Sequence, residues 1–550
     1  MRSDKHNKTA VQEIGVIRKD WRGRIRVALV YPNRYAVGMS NLGFQTVYAL
    51  LNDIDAVLCE RAFLPENDTD EIRTIETKSR LSGFDMIAFS VSFEQDYLNI
   101  LSILEKAKIP LRSCERDESH PLVIAGGVAC FSNPEPISAF TDCILIGEAE
   151  AMPLPYFFDL FAQYQDNRIK CLEIMAQEFS GVYVPAFAPH HVRRAYLKDI
   201  SQHSTSTVVL SKDTAFDNSF LIEVSRGCPH GCRFCSAGYI YRPPRFRTAA
   251  HIIESMDIGD SMTDRIGLVG AAVSDLPNIG MLCDYATEKH IRLSFSSFRA
   301  DALLPELIGV LNSSRVKTAT IAPEAGSERM RKVINKGITE AHILSGTEIL
   351  VSNNIPNLKL YFMIGLPTET DEDILEIVSL CKKIKAQFLT ASRVKGHIGE
   401  ITVSINSFVP KPFTPFQWTA MDDAGVLKKK ISMIRSGLKG VANLKIQADD
   451  PKHAIIQALL SRGNRNTADM LVQAHRNNGN WAKTLKEFSL NPESYPNNEL
   501  SYDDTLPWEF IDHGIDKSFL IREYERAKAG KSSPPCSMKF DSCKLCGVCG

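Results

Sequence analysis

Three closely spaced cysteines constrain what this chain can fold into. Cys228, Cys232 and Cys235 have C-x-x-x-C-x-x-C spacing and follow an apolar run at 220–224 that predicts a buried strand. Three thiolates on one short loop can hold three irons of a cubane cluster and leave the fourth iron open to a small molecule. The alternatives are three buried thiols or a zinc site, in which His230 would be an awkward fourth ligand because it lies between the cysteines. The spacing therefore favours an iron–sulfur cluster that performs chemistry.

The residues of this loop resemble the signature of the radical S-adenosylmethionine (radical SAM) superfamily. That signature is C-x-x-x-C-x-aromatic-C at the end of the first strand of a partial (β/α) barrel, and Phe234 supplies the aromatic residue here. The resemblance implies a [4Fe-4S] cluster whose open iron binds the amino and carboxylate groups of S-adenosylmethionine. It also implies that an electron from a donor such as flavodoxin or ferredoxin cleaves this cofactor to a 5'-deoxyadenosyl radical.

Strand–helix cycles continue after the cysteine loop and predict a partial (β/α)6 barrel at 218–430, with its site at the carboxyl ends of the strands. Gly270 and Ala271 stand where the family carries a Gly-Gly-Glu element, but the Glu is missing, so the backbone would contact the cofactor. Glu324 matches a position that meets the ribose and methionine of the cofactor, with helix capping as the alternative. The cofactor-binding residues that the resemblance implies in the barrel are Phe234, Gly270, Ala271, Ser296, Glu324, Ser327 and Gly365.

The region at 25–165 alternates apolar strands and helices, which predicts a doubly wound α/β domain with a ligand site beyond the carboxyl ends of its strands. Three stretches, VIAGG at 123–127, NPEP at 133–136 and IGEAE at 146–150, resemble the cobalamin-binding domain that precedes many radical SAM barrels. The resemblance places Gly126, Gly127, Gly147 and Glu148 at the cofactor. A Gly-Gly pair is by itself more often a plain turn.

The loop after the first strand bears on whether cobalamin binds. In many cobalamin proteins an Asp-x-His-x-x-Gly loop supplies a histidine to cobalt, whereas residues 31–38 read YPNRYAVG and contain no histidine. Either cobalamin binds without a protein ligand, as in some radical SAM methylases, or the fold is kept without the cofactor.

The end of the chain carries a second cysteine cluster. Cys536, Cys543, Cys546 and Cys549 predict a metal site, which is either a second iron–sulfur cluster or a zinc knuckle that touches RNA. The helical region before it is expected to clamp substrate over the barrel mouth. The Pro- and aromatic-rich segment at 408–418 is expected to form a lid or a substrate wall.

Composition limits the class of protein. A formal net charge of -1 gives no global basic field, so any contact with nucleic acid has to be local. Seven of the 14 cysteines fall in the two clusters, which favours metal binding over disulfides. We find no secretory signal and no apolar run long enough to span a membrane, so we expect a cytoplasmic protein without membrane contact.

The expected organisation follows from these segments. It comprises a lead-in at 1–24, the cobalamin-binding-like domain at 25–165, a β-rich connection at 166–217, the barrel at 218–430, a helical region at 431–530 and a four-cysteine tail at 531–550.

The sequence predicts a radical SAM enzyme that modifies an unassigned substrate, either RNA or protein. With cobalamin the expected reaction is methyl transfer to an unactivated carbon. Without it, the expected reaction is sulfur insertion, as in the methylthiotransferases that the barrel resembles, or another radical modification. A hypothesis of a different class is a non-catalytic iron–sulfur or zinc protein that binds RNA or ribosomes.

Overall fold

The N-terminal domain is built on one parallel sheet. The computed structural model describes residues 12–67, 70–187, 191–295, 299–488, 496–539 and 542–549. The strands of the N-terminal region are β1 (Glu13–Ile14), β2 (Ile25–Arg34), β3 (Val57–Leu64), β4 (Met86–Ser90), β5 (Leu122–Gly126), β6 (Cys143–Leu145), β7 (Val182–Tyr183), β8 (Val192–Arg193) and β9 (Leu210–Ser211). Its helices are α1 (Tyr35–Gly38), α2 (Leu42–Asp53), α3 (Tyr97–Lys106), α4 (Val128–Ser132), α5 (Leu154–Tyr164) and α6 (Arg168–Glu178).

The order of the strands confirms the doubly wound prediction. The sheet runs β3-β2-β4-β5-β6-β7, with parallel neighbours from β3 to β6 and an antiparallel β7. Alternate residues of β2 face opposite sides: Ala28 and Val30 pack in the core that contains α3, while Val27 and Leu29 pack with α2, α5 and α6. Because β2 lies between β3 and β4, the chain reverses its winding there, and a crevice opens beyond the carboxyl ends of these strands.

Strand β3 is absent from the sequence-based prediction. It carries Glu60 and Arg61 inside an otherwise apolar segment, and both are buried. The Arg61 guanidinium pairs with Glu13 at 2.8 Å and with Glu76 at 2.6 Å, so its charge is compensated inside the protein. Buried charged residues interrupt the apolar run by which a buried strand is normally recognised.

The second domain is the predicted partial barrel. Its strands are β10 (Phe220–Glu223), β11 (Ser225–Arg226), β12 (Arg245–Phe246), β13 (Arg265–Val269), β14 (Arg292–Phe295), β15 (Thr318–Glu324), β16 (Asn357–Ile364), β17 (Ile401–Ser407) and β18 (Leu444–Ala448). Its helices are α7 (Ala249–Asp260), α8 (Ile279–Glu288), α9 (Pro305–Ser313), α10 (Glu328–Val333), α11 (Glu340–Ser352), α12 (Asp371–Lys395) and α13 (Ala424–Gly437). The barrel strands form two parallel sheets, β10-β13-β14 and β15-β16-β17-β18.

The edge strand β18 lies beyond residue 430, in a stretch for which the sequence analysis expects helices. It pairs in parallel with β17 from Leu444 to Ala448. Its exposed Lys445 and Gln447 alternate with partly buried residues. An edge strand of this kind has only a weak apolar pattern, which is why it escaped prediction.

The C-terminal region contacts both domains, and its last helix pairs with the cysteine loop of the barrel through Glu523 and Arg233. It consists of α14 (Pro451–Arg462), α15 (Thr467–Arg476), α16 (Trp481–Glu487), β19 (Ile511–Asp512) and α17 (Lys517–Lys528). The Asn133 amide of the N-terminal domain donates to the backbone carbonyls of Ser461 and Gly463 at 3.0 and 2.8 Å. Strand β19 pairs in parallel with β8. The region therefore braces the two domains, and the clamp over the substrate stays a prediction.

The aromatic segment at 408–418 is part of the core and not a lid. Phe408, Phe416 and Trp418 are at most 1 % exposed. The Trp508 indole N–H donates to the Gln417 side chain at 2.9 Å, which fixes the segment against the C-terminal region. Complete burial of these aromatic rings among apolar partners contradicts the lid, whereas the substrate wall stays a prediction.

A buried network of charges joins the two α/β domains. The Arg226 guanidinium, at the start of the cysteine loop, contacts Glu148 at 2.9 Å, Glu150 at 3.0 Å and Glu223 at 2.7 Å. Glu148 also accepts from Arg245 at 2.7 Å. Burial raises the pKa of Glu148, but the hydrogen bond from Arg245 and the charge of Arg226 outweigh burial, so its pKa lies below its ordinary value. The carboxylate is therefore charged at neutral pH.

We expect Arg226→Met to lower the free energy of unfolding by about 3–5 kcal/mol, because it leaves buried carboxylates without their partner. The measurement is urea unfolding followed by circular dichroism. Arg265→Met is the matched control: its pair with Asp217 is 2.7 Å long but exposed on both sides, so we expect a loss of at most about 1 kcal/mol. Equal losses in the two variants would contradict a structural role for the buried network.

Candidate functional site

The cysteine loop is tightly built, and its three cysteines are partly buried. Gly227 has a φ of +81°, and a Cβ there would lie 2.8 Å from the Tyr241 carbonyl oxygen, so the approach to the loop requires glycine. Between the second and third cysteines, the fully buried Arg233 side chain donates to the Val333 carbonyl at 2.8 Å and pairs with Glu523 at 3.0 Å. The Asn335 amide donates to the Gly231 carbonyl at 3.1 Å. The loop is thus held from α10 and from α17.

The three thiols lie close together in a low-dielectric environment. Burial raises the pKa of Cys228 to about 12, and the neighbouring charges of Cys232 and Cys235 raise it further. Burial likewise raises the pKa of Cys232 to about 11. Three thiolates are therefore costly here unless a bound cation compensates them, which is what an iron–sulfur cluster provides. The residues fit the predicted cluster.

Within the ranges that the structure describes, no three His, Cys, Asp or Glu side chains have the arrangement expected around a single metal ion. A cubane does not require that arrangement, because each of its thiolates ligates a different iron. His230, the alternative zinc ligand, contacts the Asp275 carboxylate through its Nε2 atom.

A partly buried ion pair lies beside the cysteines. Glu324, at the irregular end of β15, has a φ of +65°, and its Oε1 atom accepts from Lys336 Nζ at 3.1 Å. Burial lowers the pKa of Lys336, but the charges of Glu324, Cys232 and Cys235 outweigh it, so the net pKa is raised and the ammonium stays charged. Sequence reasoning chose Glu324 and missed Lys336. The sequence feature that could have indicated Lys336 is the basic stretch RMRKVINK at 329–336, which this lysine ends.

Other predicted barrel residues have structural partners. The Ser327 hydroxyl caps α10 by accepting from the Met330 N–H at 3.0 Å, and it donates to Asp373 at 2.6 Å. Glu324 is therefore not the cap of that helix. The Gly365 N–H donates to Glu369 at 2.7 Å, so Glu369 orders the end of β16 instead of capping α12. Contact of Ser327 and Gly365 with the cofactor stays a prediction, as does that of Phe234, which is packed partly buried against the core; Ser296 lies outside the described residues.

A large cavity opens where the strand ends of the two domains face each other. Its volume is about 680 Å³, and six of the predicted cofactor-binding residues line it: Gly126, Gly127, Gly147, Glu148, Gly270 and Ala271. It reaches inward along α2 and α5 and also borders the cysteine loop at Gly227 and Ala237. The structure therefore brings the predicted sites of both domains to one cavity.

Two of these residues also have a local structural reason to be glycine. Gly127 has a φ of +104°, and a Cβ there would lie 2.5 Å from the Val91 carbonyl oxygen. Gly147 has a φ of +123°, and its Cβ would lie 2.1 Å from the Ala195 carbonyl oxygen. Close backbone contacts therefore explain both glycines without a ligand. Gly126 differs, since a Cβ there would meet its nearest neighbour at an ordinary 3.7 Å.

The four-cysteine tail lies against the cysteine loop. The backbone N–H of Cys536 donates to the carbonyl of Pro229, inside the cysteine loop, at 2.7 Å. Burial raises the pKa of the Cys549 thiol, and the charges of Cys546, Cys536 and Cys543 raise it further. The sequence predicted one metal site at these four cysteines but did not predict that it would lie against the cysteine loop.

Comparison with known proteins decides the family. The family model for the N-terminal region of radical SAM proteins matches residues 43–185, and that of the radical SAM superfamily matches residues 222–381. A protein of Methanocaldococcus jannaschii, described as uncharacterized, is 31 % identical over 450 residues, which are 81 % of this chain and 90 % of that protein. The chain belongs to the radical SAM superfamily. The predicted resemblance is thereby confirmed, and membership of this superfamily implies a [4Fe-4S] cluster and S-adenosylmethionine as cofactors.

Two further proteins resemble this radical SAM chain, one in part of its sequence and the other in its fold. The tRNA-2-methylthio-N(6)-dimethylallyladenosine synthase of Thermotoga petrophila is 23 % identical over 234 residues, covering 40 % of this chain and 49 % of that enzyme. The radical S-adenosylmethionine methyltransferase TsrM of Kitasatospora setae, solved with tryptophan substrate and a SAM analog, superposes with a TM-score of 0.50 at 10 % identity. That match covers 82 % of this chain and all of TsrM, and it shows a shared fold.

Among the described helices, none combines the length and the apolar character that crossing a membrane requires.

We expect Lys336→Met to lower the reduction potential of the cluster by on the order of 50 mV, equivalent to about 1 kcal/mol, because a positive charge beside two cysteines is lost. The measurement is a redox titration followed by electron paramagnetic resonance. Lys332→Met is the matched control, since Lys332 is an exposed lysine on α10, the helix that precedes Lys336. Equal potentials in the parent protein and Lys336→Met would refute an electrostatic role for Lys336.

Proposed function

We propose that this radical SAM enzyme is a methyltransferase that uses cobalamin to transfer a methyl group to an unactivated carbon of its substrate. The observation that carries the proposal is the cavity of about 680 Å³ at the winding reversal of the N-terminal sheet, with a wall shared by the barrel. A cofactor bound there would lie next to the cysteine loop. Both cofactors would then face one substrate.

The shape and lining of the cavity suit a large, partly apolar cofactor. Its inner part runs between the sheet and two helices and is lined by apolar side chains such as Leu29, Ile124 and Phe157. Its rim carries polar groups, among them Asn41 and Ser92, joined by a hydrogen bond of 3.1 Å. Apolar walls with a few oriented polar groups are typical of cofactor sites.

The lining also bears on how cobalt would be ligated. None of the described residues around the cavity is a histidine, in keeping with the loop at 31–38 that lacks one. The proposal therefore includes cobalamin bound without an imidazole from the protein. When bound, cobalamin supplies a carrier for the methyl group, while the residues of this chain bind it, orient it and exclude water.

The cysteine loop would bind S-adenosylmethionine through the open iron of the cluster. Cys228, Cys232 and Cys235 are the proposed ligands. Gly270 and Ala271 border the cavity at the end of β13 and offer backbone groups where the family's Glu is missing. Glu324 and Lys336 add a carboxylate and an ammonium beside the cysteines.

Sulfur insertion is the second candidate, because the tail cysteines contact the cysteine loop through Cys536. The likeness to a tRNA-2-methylthio-N(6)-dimethylallyladenosine synthase, which covers 40 % of this chain, also supports sulfur insertion. In this case a second cluster would act next to the first, and cobalamin would not be retained.

We expect Cys232→Ala to abolish formation of 5'-deoxyadenosine. The assay is anaerobic: the cluster is reconstituted and reduced, S-adenosylmethionine is added, and the nucleoside is quantified by chromatography. Cys283→Ala is the control, because Cys283 is a buried thiol on α8 outside both cysteine clusters. Formation of 5'-deoxyadenosine by Cys232→Ala at the parent rate would remove Cys232 from the cluster.

We expect the parent protein to retain cobalamin through gel filtration and Gly126→Phe to bind it at least about tenfold more weakly, a change of about 1.4 kcal/mol. The residue tolerates a side chain locally, but a phenyl group would occupy part of the cavity. Cobalamin is measured by its visible absorbance. Gly309→Phe is the matched control, since Gly309 lies on α9 with no atom within 4 Å of an added Cβ. A parent protein that retains no cobalamin would overturn the methyltransferase proposal and favour sulfur insertion.

A further inference from the structure

The tail is connected to the cysteine loop at two points. Cys536 donates its N–H to Pro229, the residue after the first cysteine of the loop, at 2.7 Å. Ser533 donates its N–H to the Asn335 side chain at 2.8 Å, and Asn335 in turn donates to the Gly231 carbonyl at 3.1 Å. A metal site in the tail would therefore be separated from a cluster in the loop by only a few bonded groups.

The tail site also reaches the protein surface. Cys546 is buried, and its carbonyl accepts from the Asp516 N–H at 2.9 Å, which docks the tail on the start of α17. Cys536, Cys543 and Cys549 are only partly buried. The site thus contacts the cysteine loop on one side and solvent on another.

The surface around the tail site has the features of a transient docking face. Met538 and Leu545 are 41 % and 50 % exposed. Lys531, Lys539 and Lys544 are exposed around them, and their side chains form no ion pair within the described part of the chain. We call these five residues the tail face. Exposed apolar groups with a charged rim are typical of interaction sites.

The charge of the tail face selects the partner. From Arg522 to Cys549 the chain has six Lys and Arg against three Asp and Glu, although the protein as a whole has a net charge of -1. A local positive field attracts acidic proteins and raises their association rate by roughly 10- to 1,000-fold. The reaction of a radical SAM enzyme requires an electron from an external donor. An acidic electron carrier would account for a basic face beside a metal site.

We propose that the four-cysteine tail holds an iron–sulfur cluster and is the electron entry site of the enzyme, at which an acidic one-electron carrier of the ferredoxin or flavodoxin class docks on the tail face. The inference rests on the proposed radical SAM chemistry of the cysteine loop. The step transfers one electron and no atoms: the carrier is oxidised, the cluster in the loop is reduced, and the tail site returns to its initial oxidation state. Zinc in the tail could not do this, since it has no redox chemistry.

The experiment uses the full-length protein with its clusters reconstituted and photoreduced flavodoxin as the electron carrier. The rate at which the loop cluster is reduced is followed by freeze-quench electron paramagnetic resonance at low salt. The same rate is measured with photoreduced 5-deazaflavin, a small reductant that needs no docking face. The ratio of the two rates isolates the contribution of docking.

We expect the double variant Lys539→Glu, Lys544→Glu to reduce this ratio at least about tenfold, because rim charges act mainly on association. The matched control is Lys382→Glu, Lys439→Glu, which reverses two exposed lysines on the outer wall of the barrel and should leave the ratio unchanged. A ratio that is the same in both variants and the parent would overturn the docking face.

The metal content of the tail tests the relay independently. We expect Cys543→Ser, Cys546→Ser to lose the iron of one cluster and to reduce the flavodoxin-to-deazaflavin ratio as the lysine variant does. Zinc found in the tail of the parent, or an unchanged ratio in this variant, would overturn the electron relay. These results are distinguishable from failure of the proposed function, because deoxyadenosine formation with 5-deazaflavin and retention of cobalamin are measured without the tail face.

Discussion

The relation between the two α/β domains depends on the buried contacts of Arg226. Its guanidinium is shared by Glu148 and Glu150, which follow the last parallel strand of the N-terminal sheet, and by Glu223, which ends the first barrel strand. Charges taken out of water are costly unless they are fully paired, and the observed placement of the domains pairs all of these. The same placement puts the strand ends of both domains opposite each other and so creates the cavity.

The cysteine loop depends in turn on elements that are distant in the sequence. Asn335, from just beyond the end of α10, fixes Gly231, and Glu523, from α17, pairs with Arg233. Cys536 of the tail holds Pro229. Thiolates must be positioned accurately to bind a cluster, so the C-terminal region contributes to the site even though it supplies none of the three predicted ligands. This explains why the tail and the helices before it pack inward rather than form a mobile appendage.

Several predictions from the sequence are right for local reasons. The alternation of apolar strands and helices predicts both domains, because the apolar residues of a buried strand can be recognised from that segment alone. The segment at 408–418 shows the opposite case: whether its aromatic rings form a lid or a core depends on Trp508 and other residues far along the chain. The buried charge of Arg61 hides the edge strand β3 for the same reason, since its partners Glu13 and Glu76 lie outside the strand.

The sequence by itself determined the family chemistry, because three cysteines within eight residues form their loop through local geometry. It also determined the fold class, because strand and helix periodicity are local properties. Only the tertiary structure decided where the sites lie relative to one another. Arg245 and Glu148 are 97 residues apart in the chain, and Arg233 and Glu523 are 290 apart. Such pairs leave no periodic trace in the sequence, because each partner is specified by the packing of whole domains and not by its neighbours in the chain.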